Sequence, residues 1–440
     1  MALPPSTGLR KTVLAGAIGN AIEFYDFIVY AYLAGYFAAH FFPTHDPVAA
    51  LLASYGAFAT GMVMRPIGGI LFGTIGDRIG RKAALQLSVL LIAVPTLMIG
   101  LLPTYATIGL WAPALLILLR MLQGLSIGGE YSSSIVFLIE HAPINRRGLI
   151  GGFSPMGAFG GLLLGTAASF LCTAVLGKTI MADWGWRVPF LSSILLTGIG
   201  IWARRSLGHE LMQGKDIVQS PVRTAFRYYW RPMLAIALAN TATGIVSFVG
   251  FMYAVPWMTK VTGISTTTAL AINLLSLLLV SLLSVGGGWL GDWFGKLNIT
   301  RLGVLILLAG AWPAFLLFAS GEVPLMILGG LLLAIGQGFY LGPLSASMAA
   351  LLPHKVRVTG LSFGYSLAVG LFGGLAPMFT EFLIARFQLT MAPAIVIMLG
   401  ALVSLVTLCL HPLWRHHHDQ LPEDEPVTTP GKLQTNAYRH

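Results

Sequence analysis

The sequence predicts an all-α polytopic membrane protein, with twelve transmembrane helices in two six-helix pseudo-repeated bundles. Three observations predict it. The chain of 440 residues is 56% hydrophobic and only 10% charged. Apolar segments long enough to cross a bilayer recur along nearly all of it, and paired motifs repeat at a constant offset. A soluble domain carries about 25% charged residues, whereas mean hydropathy here is +0.80, so lipid is the solvent for most of the surface.

Crossing a hydrocarbon core of about 30 Å takes about 20 apolar residues. Windows bounded by Gly, Pro and charge place the spans at 13–39, 48–72, 83–102, 111–139, 149–176, 186–204, 232–258, 268–290, 301–320, 324–351, 359–386 and 391–411. Arg10 and Lys11 precede the first run as in a signal peptide. Glu23 and Asp26 interrupt that run, however, and no small-residue cleavage site follows, so it is expected to stay as an uncleaved first span.

The formal charge of +10 does not mark a nucleic-acid binder, because the basic residues are dispersed in short clusters between apolar runs. Their distribution is topological. Only Lys178, Arg187, Lys260 and Arg386 fall on the far side, Arg65 and Arg120 fall within spans, and the other twenty of 26 lie on the N-terminal side. This asymmetry predicts both termini in the cytoplasm of a cell with the chain in its inner membrane. The longest polar connection divides the chain into an N-terminal bundle (1–204), a cytoplasmic linker (205–231), a C-terminal bundle (232–411) and a cytoplasmic tail (412–440). The tail, with histidines at 416–418 followed by acidic residues, lacks apolar periodicity and is expected to be disordered.

The halves echo each other. Gly76-Asp77 pairs with Gly291-Asp292, Gln123-Gly124 with Gln337-Gly338, and Phe159-Gly160-Gly161 with Phe372-Gly373-Gly374, at offsets of 215, 214 and 213 residues. Such near-constancy marks a parallel duplication, whose halves enclose a substrate path.

Enzymatic and ATP-driven readings lack sequence support: there is no phosphate-binding Gly-x-x-x-x-Gly-Lys-Ser/Thr loop and no nucleophile elbow. The two cysteines, Cys172 and Cys409, lie in apolar runs and suggest neither a disulfide framework nor a metal site. No cofactor or metal is expected, and the partners expected are the bilayer, a small-molecule substrate and protons, with the chain acting as a monomer.

Gly76-Asp77-Arg78-Ile79-Gly80-Arg81-Lys82 resembles the loop between the second and third spans of major facilitator proteins, and Arg120-x-x-Gln123-Gly124 resembles that superfamily's fourth-helix motif. Further stretches resemble the metabolite:proton symporter family within it: Gly19-Asn20, Glu23, Phe24-Tyr25-Asp26-Phe27, Met64-Arg65-Pro66, Gly128-Gly129-Glu130-Tyr131 and Asp183-Trp184-Gly185-Trp186-Arg187-Val188-Pro189-Phe190. The resemblance implies a proton-coupled symporter that imports a small polar metabolite by alternating access, an organic acid or a zwitterion such as proline or betaine. A proton-driven exporter of amphipathic compounds and a non-transporting sensor on the same scaffold are the alternatives. It also implies gating roles for Asp77, Arg78, Arg81 and Asp292, although the second loop, Gly291-Asp292-Trp293-Phe294-Gly295-Lys296, lacks the first arginine. Osmosensing members can carry a long C-terminal coiled coil; no heptads follow residue 412, so the expectation is a plain symporter.

An ionisable group at the bilayer centre costs about 2.5–3.5 kcal/mol on insertion scales, so such groups face a cavity or pair. Glu23 and Asp26, three apart on one face of span one, and Glu130 in span four are the candidate proton-coupling carboxylates. The competing reading pairs them statically with Arg65 and Arg120. Arg120, nine residues into span four, offers a planar fork to a substrate carboxylate or serves the proton route. Asn240, Tyr253, Gln337 and Tyr340 are candidate substrate contacts from spans seven and ten. Gly157-x-x-x-Gly161-x-x-x-Gly165 and its counterparts in span eleven permit close helix approach, either as simple packing or as faces that slide between states.

Overall fold

The computed structural model describes residues 6–43, 47–79, 81–205 and 221–414. Twelve long helices run through them. The first six are α1 (Ser6–Phe41), α2 (Pro47–Arg78), α3 (Arg81–Leu101), α4 (Trp111–Glu140), α5 (Phe153–Ile180) and α6 (Arg187–Arg205). The second six are α7 (230–262), α8 (Thr266–Phe294), α9 (Lys296–Ala319), α10 (Val323–Ala349), α11 (357–387) and α12 (Ala392–Leu410). Each sits on one of the expected spans. No strand occurs among the described residues.

Most of the helices are apolar on every face, as expected where one side meets other helices and the other meets lipid. Burying side chains drives little association in lipid, so the helices pack by close backbone approach at small residues. A Cβ on Gly128 of α4 would strike the Arg65 carbonyl of α2, and one on Gly342 of α10 would strike the Ser284 carbonyl of α8. These two crossings occupy corresponding places in the two halves. Gly157 and Gly161 of α5 seat against Ala17 and Ala21 of α1, while Gly370 and Gly374 of α11 seat against Met62 of α2, across the boundary between halves.

Helices α7 and α11 are not regular throughout. Widened π-helical turns replace the α-helix at Val246–Tyr253 and Ala368–Gly373. The two helices meet where Gly244 faces Val369 and Gly373.

The expected linker is only partly a connection. Pro221–Tyr228 is a short amphipathic helix whose Ala225 is buried and whose Phe226 ring meets Phe363 edge-on at 4.7 Å. Its small and aromatic residues, three to four apart, cover the end of α11, which the polar composition of the segment obscures. Residues 206–220 lie outside the described residues, as do 415–440 with the expected tail disorder. The chain past α12 continues as a packed turn, Pro412–Trp414, with Trp414 buried and its carbonyl accepting from Arg301 Nη2 at 3.3 Å.

Candidate transport site

Among the described residues six charged side chains are at most 2% exposed: Glu23, Asp26, Arg65, Arg120 and Glu130 within the spans, and Arg357 at the start of α11. Four of them gather around α1. Asp26 and Arg120 do not form a direct ion pair. Arg120 Nη1 donates to Gln123 Oε1 at 2.7 Å, Gln123 Nε2 donates to Thr96 Oγ1 at 2.6 Å, and Thr96 Oγ1 lies 2.7 Å from Asp26 Oδ2. The guanidinium sits over Tyr30, 3.9 Å from the ring centroid, with Phe58 at 5.0 Å and Phe27 at 5.9 Å. This aromatic box replaces the water that an arginine would otherwise require.

One turn earlier on α1, Glu23 interacts electrostatically with Arg65 of α2, Tyr131 of α4 and Tyr365 of α11. The two tyrosine rings stack across the boundary between halves at 4.4 Å. Two nitrogens of Arg65, Nε and Nη2, have no hydrogen-bond acceptor. The expected static pairing is therefore not what binds Asp26, whereas Glu23 and Arg65 do share a neighbourhood.

Between the halves lies a narrow cavity of about 20 Å³. Phe24, Phe27, Tyr131, Phe159, Phe248 and Tyr365 supply its aromatic walls, and Thr243 and Ser247 its hydroxyls. Sequence reasoning did not single out the aromatic walls, because aromatics in apolar helices look like packing.

The other sequence candidates are scattered. Glu130 accepts from Ser88 of α3, inside the N-terminal half. Gln337 Nε2 reaches the cavity-lining Ser247 at 3.5 Å, and its Oε1 lacks a donor. Asn240 bonds the Ile236 carbonyl and Met348, and the Tyr340 hydroxyl bonds the Ala239 carbonyl. Both hold α7 to α10 rather than lining the cavity. Tyr253 bonds Glu381, which pairs with Lys260 at 2.6 Å toward the other end of the C-terminal half.

At the end of the bundle bearing the two loop motifs, the halves cap each other. Asp77 Oδ2 accepts from the backbone N–H of Thr359 at 3.0 Å and its hydroxyl at 2.6 Å, at the start of α11. Asp292 accepts from the N–H groups of Gly148 and Leu149, both at 2.8 Å, at the start of the turn leading into α5. A carboxylate at a helix N-terminus satisfies free N–H groups and meets the positive end of the dipole. Arg357 Nη1 adds an ion pair to Glu140 at 2.9 Å. The side chains of Arg78 and Arg81 lie outside the described residues.

The profile of the Major Facilitator Superfamily matches residues 16–377. The chain belongs to that superfamily. Within this group of membrane transporters, it is 32% identical over 413 residues to the proline/betaine transporter of Escherichia coli strain K12, covering 91% of this chain and 82% of that one. It is also 32% identical over 423 residues to the ectoine/proline transporter ProP of Corynebacterium glutamicum, with coverage of 92% and 84%. The partially occluded, inward-open structure of the xylose transporter XylE from E. coli superposes with a TM-score of 0.72 over 92% of this chain and 98% of that one, at 16% identity. The major facilitator chain described here is thus a multi-pass small-molecule transporter rather than an enzyme.

Proposed function

We propose that this transporter imports a small zwitterion of the proline or betaine class, coupled to proton influx, by alternating access. The observation that carries the reading is the pair of fully buried carboxylates, Glu23 and Asp26, flanking the cavity-lining turn of α1. A symporter needs a carboxylate whose proton affinity follows the opening and closing of the path. Asp26, tied to Arg120 only through neutral groups, is the proton carrier in this account, and Arg120 serves the proton route.

The cavity's chemistry supports the substrate class. Six aromatic rings suit a quaternary or secondary ammonium through cation–π attraction, whereas a sugar needs many more polar partners than two hydroxyls and two phenols. The names of the relatives point the same way. We further assign the motif-bearing end to the cytoplasm of an inner membrane, with both termini there, because twenty basic residues fall on that side. The Asp77 and Asp292 caps then close the cytoplasmic gate. The two bundles, bounded near 204 and 232, rock about the cavity, and a single chain holds both walls of it.

A thermal-shift panel tests the reading: proline, betaine, ectoine, citrate, 2-oxoglutarate and shikimate on purified protein at two pH values. Stabilisation by proline or betaine whose size depends on pH is expected. Stabilisation by citrate, 2-oxoglutarate or shikimate with none by proline or betaine would overturn it.

A further inference from the structure

The hydroxyl of Thr96 has one proton and two acceptors. Its oxygen lies 2.7 Å from Asp26 Oδ2 and 2.8 Å from the Ile92 carbonyl, four residues back on α3. The remaining bond at that oxygen has a fixed direction. A guanidinium only donates, so Gln123 must turn its carbonyl to Arg120 and its amide nitrogen to Thr96. Thr96 therefore always accepts from Gln123 and has one lone pair and one proton left to place.

We propose that Thr96 is a positioning residue of proton coupling, its hydroxyl switching between the Asp26 carboxylate and the Ile92 carbonyl as Asp26 loses and gains its proton. The inference rests on the reading of Asp26 as proton carrier. With Asp26 ionised, the Thr96 hydroxyl donates to Oδ2. When Asp26 takes a proton from the pathway, the new Asp26 O–H donates to Thr96 Oγ1, and the threonine proton rotates to the Ile92 carbonyl. No bond to the threonine oxygen breaks, and no heavy atom moves. Every hydrogen bond in the chain from Arg120 is satisfied in both states, so a buried carboxyl changes charge at small reorganisation cost.

The charged and titratable groups around Asp26 are few. Arg120 faces it from α4, and Tyr25, Tyr30 and Glu23 share its helix; Arg65 of α2, Tyr131 of α4 and Tyr365 of α11 lie around Glu23 rather than Asp26. From α7 the uncharged ring of Phe248 packs 5.3 Å from that of Phe27, the residue after Asp26.

The test is proline or betaine uptake into proteoliposomes as a function of pH, with exchange of labelled for unlabelled substrate in parallel. Thr96→Val keeps the shape and removes the hydroxyl; Thr96→Ser keeps the hydroxyl. Loss of a hydrogen bond to a charged group is expected to displace the pH profile of net uptake by about one unit, with exchange retained and the profile restored in Thr96→Ser. If Thr96→Val does not reach the membrane, Thr96→Ala carries the same expectation. A wild-type profile in the variant lacking the hydroxyl, or an equal displacement in Thr96→Ser, overturns the switch. Asp26→Asn separates the two layers. If it leaves proton coupling intact, the reading of Asp26 fails; if it uncouples while Thr96→Val stays wild type, only the Thr96 inference fails.

Discussion

Arg120 shows how a single residue is specified by its surroundings. Its guanidinium is sandwiched over Tyr30 and fixed by Gln123, three residues on along the same helix face. Lysine keeps the charge but loses the planar stack and has a shorter, point-like head. Arg120→Lys is expected to lower uptake tenfold or more while the protein still reaches the membrane, measured by uptake normalised to membrane content; wild-type uptake would remove Arg120 from the mechanism. The charged residues of the site were legible in the sequence because a charge in an apolar span is conspicuous. Thr96 was not, since a lone threonine in such a span is usually satisfied by its own helix, and one of its three hydrogen-bond contacts is indeed of that kind. Asn240 and Tyr340 are the converse case: their polar atoms bond other helices' atoms or their own backbone, which composition cannot distinguish from lining a path.

At the scale of elements, the helices and their order were readable from hydropathy, and the glycine spacing showed which faces approach closely. Gly128 and Gly286 make a paired test. A methyl on Gly128 collides with the backbone of α2, while one on Gly286 meets nothing within 4 Å. Gly128→Ala is expected to destabilise by about 1–3 kcal/mol, the usual cost of overpacking, seen as a lower thermal midpoint in detergent, and Gly286→Ala should match the wild type. Equal midpoints would show that α2 and α4 are not held by that crossing. The π-helical turns in α7 and α11 were not legible. They need one extra residue per turn, and no residue type announces that.

For the whole molecule, the duplication appears as reciprocal capping: an aspartate of each half closes the start of a helical segment in the other. The repeat offset revealed the two aspartates, but not that each reaches across the boundary, because the acceptor's partners are backbone N–H groups, which carry no sequence signal. In the proposed account these caps form the closed gate, with Glu23 and Asp26 buried behind it, as a carrier that couples two fluxes requires. The most direct measurement is simultaneous recording of substrate uptake and internal acidification in proteoliposomes with an imposed inward proton gradient and no substrate gradient. The account predicts that proline or betaine accumulates inside together with protons, and that Asp26→Asn abolishes accumulation but keeps exchange. Equilibration without accumulation, or substrate driven outward by the same gradient, would contradict it.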